Sequence, residues 1–433
     1  MGATLVETLF AEGEAYPTDQ FFRLIGGLDP TDKTKAYRAT ADGSMIVEQS
    51  NSPAAIINNV RSGLSFPIFN RKQLYAKDTV FFTEALVGAG TSTFSTNDAA
   101  VLMALTTASG DKVTRQSKVY LPCEIGWTQL AVVSGVMAAG KTNLRQRIGI
   151  FDGNNGAFFE LNGTTLRVVI RTNTSGAPVD TVVAQASWNV DVLDGTGESG
   201  ITLDITKIQS FMISIDWPGN VRFGFIFQDL VVTVHQHSAT NVIALPFART
   251  PVLPVRWEIE NTAATGSSST LIQQGAAIFT AGASEFSGLI TSATNGVIGR
   301  SVVSTSQLPI LSVRLKSAYD KGLLQPVGFE TLVQANQSVW YELKVGGTLT
   351  GDSFVALTDA SEYDVSATAH TGGVVIKSGY IAGASRGGEP DVKVPFLAGI
   401  SLSGVRDIIT LLLRTTTGTA NATFASLTFR EII

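Results

Sequence analysis

At 433 residues the chain is long enough for two or three domains with substantial cores. Charged residues make up only 15% of it, against about 25% in an ordinary soluble protein, so part of its surface is expected to be hidden in an assembly. With 31 basic and 36 acidic residues and no basic block interleaved with aromatics, nucleic-acid binding is disfavoured, and the single cysteine excludes an intrachain disulfide framework and any multi-cysteine zinc site.

Residues 1–115 are the least regular and are read as an arm or docking region. They hold SPAAIINNV, a short helix expected to begin at Ser52 and Pro53, and a polar tract, GAGTSTFSTND, from Gly88 to Asp98. The opening MGATLVETLFAEGEAYP has neither the basic nor the apolar region of a signal peptide. No stretch approaches the roughly 18 uninterrupted apolar residues of a membrane span, so no membrane partner is expected.

From about residue 116 short strands alternate with Gly, Asn, Asp and Pro turns, the spacing of a sandwich or jelly roll. AFFEL and TTLRVVIRT flank Asn162 and Gly163, a pair suited to the positive backbone angles of a type I′ turn. FMISIDW, VRFGFIF and VVTVHQH follow as consecutive strands, with Phe223, Phe225 and Phe227 sharing a core face. After VRWEIEN comes the small, polar NTAATGSSST (Asn261 to Thr270), which places a boundary just behind it. LPILSVRLK, GFETLVQ, VWYELKV and ATFASLTF then read as strands of a second β domain. The expected fold class is mainly β: a docking region (1–115), a central jelly-roll-like β-sandwich (116–270) and a C-terminal β domain (271–433).

Several stretches imitate sites. GVMAAGKT, Gly135 to Thr142, spells the phosphate-binding G-x-x-x-x-G-K-T, whose loop must run straight into a helix. Here a β-type run closed by DGNNG follows, so a loop between two strands is expected. GASRG satisfies G-x-S-x-G around Ser385, yet no histidine follows His370 to complete a triad. His235 and His237 share one strand face without a visible third ligand, and a polar solvent or interface face alongside Thr233 is the expected setting. Asp191, Asp194, Glu198 and Asp204 cluster among glycines and are the candidate ligands for a hard cation, although their spacing is not that of an EF-hand and a solvated acidic loop explains them as well. Cys123 is expected to be buried. Trp127, Trp188, Trp217 and Trp257 would make a sugar-stacking platform if exposed, and core if buried; burial is the default.

Four ordered segments carry a resemblance: RIGIFDGNNGAFFEL, SWNVDVLDGTGESGITLD, IDWPGNVRFGFIF and LPVRWEIEN, with an echo in LPILSVRL and TGGVVIKSGYIA. Together they resemble a group of β-rich virion structural proteins encoded by tailed bacteriophages and some large DNA viruses. The resemblance covers about residues 116–261 best. It implies a non-enzymatic virion component without catalytic residues or cofactor, made in the host cytoplasm. Such a subunit would sit as a decoration on the head, in a tail fibre or in a baseplate, forming a homo-oligomer, with a trimer favoured, among other virion proteins. The alternative is a lectin-like module that binds host-surface glycan.

Overall fold

A computed structural model describes residues 38–39, 45–46 and 65–433, apart from 124–126, 228–229, 239–244, 282–287, 304–305, 390–391, 393–396 and 418–419. The helix expected at SPAAIINNV lies outside the described residues. The chain forms two compact units, Met1–Ile56 and Ile57–Ile433. In the first, β1 (Arg38–Ala39) and β2 (Met45–Ile46) make a two-residue ladder.

The second unit contains two β-sandwiches. The first is built from β3 (Ser65–Lys72), β4 (Phe82–Val87), β5 (Thr91–Ser95), β6 (Ala100–Leu105), β7 (Lys112–Ser117), β8 (Thr128–Val136), β9 (Leu144–Phe151) and β10 (Gly156–Asn162). It continues with β11 (Thr165–Thr172), β12 (Val179–Ala184), β13 (Gln209–Asp216), β14 (Asn220–Phe227), β15 (Leu230–Ser238), β16 (Val255–Asn261) and β17 (Ser269–Ala281). One sheet runs β12-β11-β10-β9-β16-β7-β4 and the other β15-β14-β13-β8-β17-β6-β5, with β3 also on β17. All these pairings are antiparallel, and β16 and β17 return from far along the chain to lie between earlier strands, as in a jelly roll.

Strand alternation fills the space between the sheets. Ile148, Phe159, Val168 and Trp257 from one sheet meet Val133, Phe211, Ile213, Phe223 and Phe225 from the other, all in one buried cluster. Phe159 is its aromatic hub, with ring centroids 4.9 Å from Phe225, 5.2 Å from Phe211 and 5.5 Å from Phe223. Phe223 and Phe225 are buried as their alternation predicts, and Phe227 packs partly buried against the same core.

The structure moves both expected boundaries. Strands β3 to β7 lie within the first 117 residues and are integral to the sheets, so the sandwich begins at about residue 65 instead of 116. The polar tract Gly88 to Asp98 contains edge strand β5, whose polarity suits a sheet edge. Similarly β17 begins at Ser269 and pairs with β8 through the middle of its sheet, so the boundary after Thr270 falls too early. The β10–β11 turn also differs. Asn162 pairs with Thr165, leaving Gly163 and Thr164 as the loop, and only Gly163 has positive φ (+62°), which is the II′ pattern instead of I′.

The second sandwich uses β18 (Leu289–Thr294), β19 (Arg300–Val302), β20 (Leu308–Leu315), β21 (Leu323–Val333), β22 (Val339–Val345), β23 (Thr348–Thr350) and β24 (Val355–Ala356). It is completed by β25 (Ser361–Asp364), β26 (Ala369–Thr371), β27 (Val374–Ile381), β28 (Ser385–Glu389), β29 (Ile409–Thr415) and β30 (Asn421–Ile432). Its sheets run β18-β30-β21-β28, with β19 also on β30, and β24-β25-β20-β29-β22-β27, while β23 and β26 form a small separate two-stranded ladder. Val313, Phe329, Leu343, Leu411, Leu427 and Phe429 centre its core. No helix among the described residues is long and apolar enough to cross a membrane.

The two sandwiches share a close junction. Phe81 packs against both cores, and Leu323 and Ile432, on strands of the second sandwich, belong to the core of the first. Lys321 Nζ lies 2.6 Å from Asp152. Backbone meets backbone where the Ile400 N–H donates to the Lys118 carbonyl at 3.1 Å, and a Cβ on Gly399 would sit only 2.3 Å from that same oxygen. Only glycine allows this approach.

Candidate functional site

The imitations of enzyme motifs resolve into structural roles. GVMAAGKT ends β8 and crosses to β9 with no helix, while Lys141 Nζ donates to the Ser267 carbonyl (2.6 Å), the Ser267 hydroxyl (2.9 Å) and the Ser268 carbonyl (2.7 Å). The lysine therefore clamps the loop before β17. Ser385 opens β28, and its hydroxyl turns to the Arg386 carbonyl. Cys123 is buried in the first core, with Sγ 3.9 Å from the Trp127 carbonyl.

The acidic loop uses its carboxylates on its own backbone. Asp191 accepts the N–H groups of Leu193 and Ser199, Asp194 those of the Thr196 backbone and hydroxyl, and Asp204 those of the Thr206 backbone and hydroxyl. Burial opposes the Asp191 charge, but these hydrogen bonds hold its carboxyl below the usual range. Among the described residues no three His, Cys, Asp or Glu side chains, Glu198 included, are grouped to hold an ion.

The histidine expectation requires correction. A register shift between Phe223 and Gly224 brings His235 opposite Phe223 and His237 opposite Val221, both core-facing partners. His235 is thus buried, with its ring centroid 6.5 Å from Phe223 and Nδ1 unpartnered, instead of facing solvent alongside Thr233. Burial lowers its proton affinity, with a further push from His237. The bulge, invisible in the VVTVHQH pattern, exchanges the two faces of the strand.

Across the outer face of the seven-stranded sheet runs a row of alternating charge. Glu258 on β16 faces Arg147 on β9, which faces Glu160 on β10, which faces Arg167 on β11. Arg147 donates to Glu160 at 2.6 Å and to Glu258 at 2.8 Å, and Lys112 and Arg256 also hold Glu258. Alongside it, Phe151 and Phe158 pack with centroids 4.4 Å apart, and the guanidinium groups of Arg256, Arg147 and Arg171 lie over their rings. Burial pushes the Glu258 carboxyl up, but Arg256, Lys112 and Arg147 outweigh it and bring it to about 2. Neighbouring Glu260 is likewise held below the usual range, where Arg145 and Lys112 outweigh its burial. Paired carboxylates on a sheet face suggest glycoside cleavage only if one of them is a proton-donating acid at neutral pH. Here both are held ionised, so the row ties strands together.

A different face is left open. In VWYELKV, Val339, Tyr341, Leu343 and Val345 enter the second core, while Trp340, Glu342 and Lys344 point outward. On the neighbouring strands Tyr380 (β27) and Arg414 (β29) are the direct partners of Trp340. Tyr380 is 75% exposed, Arg414 is exposed and Trp340 is partly exposed. Directly opposed side chains start about 5 Å apart, so these three make one continuous strip across three strands. The next row holds Ser378 and Glu342, the latter paired to Lys344 at 3.0 Å. Farther along, the face closes where the β23–β26 ladder lies against β20: Ser312 and Thr410 are fully buried there, and Arg314 stacks 3.6 Å over Phe354.

The four tryptophans singled out from the sequence form no such strip. Trp188 and Trp257 are buried, Trp217 packs against the first core with Nε1 donating to the Ala248 carbonyl, and Trp127 is half-buried. Trp340 is the one missed. Its signal was present, because it shares the polar register of its strand with Glu342 and Lys344.

No family model matches the chain, and neither does any curated protein sequence. Solved structures similar to part of it include a peanut lectin (10% identity, 50% of this chain and 97% of that one, TM-score 0.30). The CBM2 module of an evolved Dit from Lactobacillus casei BL23 phage J-1 shows 8% identity over 52% of this chain and 100% of that one, with TM-score 0.32. A Shewanella oneidensis MR-1 protein of unknown function shows 10% identity over 55% and 97%, with TM-score 0.34.

Proposed function

We propose that the chain is a lectin-like, carbohydrate-binding module that takes saccharide on the Tyr380–Trp340–Arg414 strip. The observation that supports this is an aromatic pair held in register on adjacent strands, Tyr380 exposed and Trp340 partly so. Aromatic rings offer an apolar face to the C–H face of a sugar while their edges remain wet. Placing them on strands fixes their spacing better than loops would. The neighbouring Ser378, Glu342 and Arg414 supply polar groups for hydroxyls. On a glycan array followed by titration, Trp340→Ala is expected to lose at least tenfold in affinity, about 1.4 kcal/mol, with the thermal midpoint unchanged. Binding unaffected by this substitution, or no glycan bound by the wild type, would remove the reading.

A second reading, compatible with the first, is a virion subunit acting by self-assembly. It is favoured by an edge without a strand partner among the described residues: β18, LITSAT, ends its sheet without a charge or proline. Leu289 (59%) and Ile290 (52%) on this strand, and Val297 (94%) and Ile298 (81%) just beyond it, are exposed. Light scattering after gel filtration is expected to give a trimer or larger closed ring of the 45.7 kDa chain. A monomer at all concentrations, unchanged by Ile290→Lys, would count against it.

A further inference from the structure

We infer that the saccharide bound on this face is anionic, with its carboxylate or sulfate held by Arg414. This rests on the binding strip proposed above and names the class of ligand it selects. Several arginines of the protein are closely paired: Arg115 with Glu84 at 2.7 Å, Arg147 with Glu160 and Glu258, Arg171 with Asp180 at 2.7 Å and Arg314 with Glu362 at 2.7 Å. Arg414 has no such carboxylate among the described residues, although it stands in the open row opposite Trp340. The acidic group in the next row, Glu342, is already neutralised by Lys344, and both side chains are mostly buried, 12% and 17% exposed. The exposed charge of the strip is therefore positive, on a chain whose net charge is -5.

Geometry and chemistry agree with this charge. A guanidinium presents a planar fork of N–H donors that matches a carboxylate or sulfate in bidentate fashion, which a hydroxyl cannot reproduce. A pyranose stacked on Trp340 would carry a substituent beyond its ring edge toward the neighbouring strand, about 5 Å away, where Arg414 begins.

The test is calorimetric titration of the full chain with three oligosaccharide sets of equal length: neutral glucans, oligogalacturonides and sulfated galactans. At least tenfold tighter binding of an anionic set is expected, weakening as salt is raised. The uronate and sulfate sets tell which anion is preferred. Arg414→Ala should abolish the preference, the anionic sets losing at least tenfold more affinity than the neutral one, while Arg414→Lys should restore only part of it. Because Arg414 is exposed, these variants are expected to keep the wild-type thermal midpoint. Equal affinity for neutral and anionic sets, or a preference that survives Arg414→Ala, would overturn this inference alone. Failure of every set to bind, or binding indifferent to Trp340→Ala, would overturn the strip itself and the inference with it.

Discussion

Replacing Arg147 with alanine is expected to destabilise the first sandwich by about 3–5 kcal/mol, because it leaves two buried carboxylates without their shared partner. Glu160 and Glu258 each have side chains only 2% exposed, and the guanidinium lies between them at 2.6 and 2.8 Å. Burial opposes the arginine's charge, but Glu258 and Glu160 raise its proton affinity overall, so it stays charged at all working pH. At roughly 2–4 °C per kcal/mol for a domain of this size, the thermal midpoint should fall by about 10 °C. The same network sets the acid response. The folded Glu258 carboxyl, at about 2, lies below its ordinary value of 4.5, so its contribution is complete above about pH 4.5 and lost as pH falls toward 2. Without Arg147, Glu258 keeps fewer cations and its folded value rises, moving acid unfolding to higher pH. Calorimetric scans of both proteins between pH 2 and 7 would check this; a midpoint within 2 °C of wild type at pH 7 would refute it.

Phe159→Ala should cost a comparable 3–5 kcal/mol by a different mechanism, a cavity at the meeting point of both sheets. Phe159 is fully buried, and Phe211, Phe223, Phe225 and Trp188 all pack against its ring. Phe211, Phe223 and Phe225 sit on paired strands, so the hole collapses only in part, and the aromatic contacts are lost as well as the burial. Phe159→Leu, which keeps more of the volume, should cost markedly less. Denaturant unfolding followed by tryptophan fluorescence reports directly, since the Trp188 ring lies 6.4 Å from the deleted one. Equal losses for Ala and Leu would show that packing at this point is not what counts.

Comparison of these elements shows what the sequence made legible. Period-two alternation was enough for Phe223, Phe225 and Phe227, and for the expectation that the GVMAAGKT loop joins two strands. It could not reveal that residues 65–117 complete the sheets. Their role depends on distant partners: β16 and β17 slot between earlier strands, and Glu84 on β4 answers Arg115 on β7. A bulge defeated the same rule at His235, since one extra residue reverses every face beyond it. For the proposed strip, half of the information was local. The outward register of Trp340 can be read from VWYELKV, whereas Tyr380 and Arg414 join it only through pairing of separate strands.

The junction at Gly399 and Phe81 fixes what several copies of this protein could sense together. Where two domains hang on a loose tether, each samples a wide cone and a second contact is gained almost regardless of receptor spacing. Here the packed joint leaves no such cone, so copies mounted on one scaffold would present their strips at set angles and separations. If the strip takes saccharide as proposed, an array of this kind would act as a ruler: it would reward surfaces whose sugars recur at the matching interval and gain little from the same sugars scattered at random.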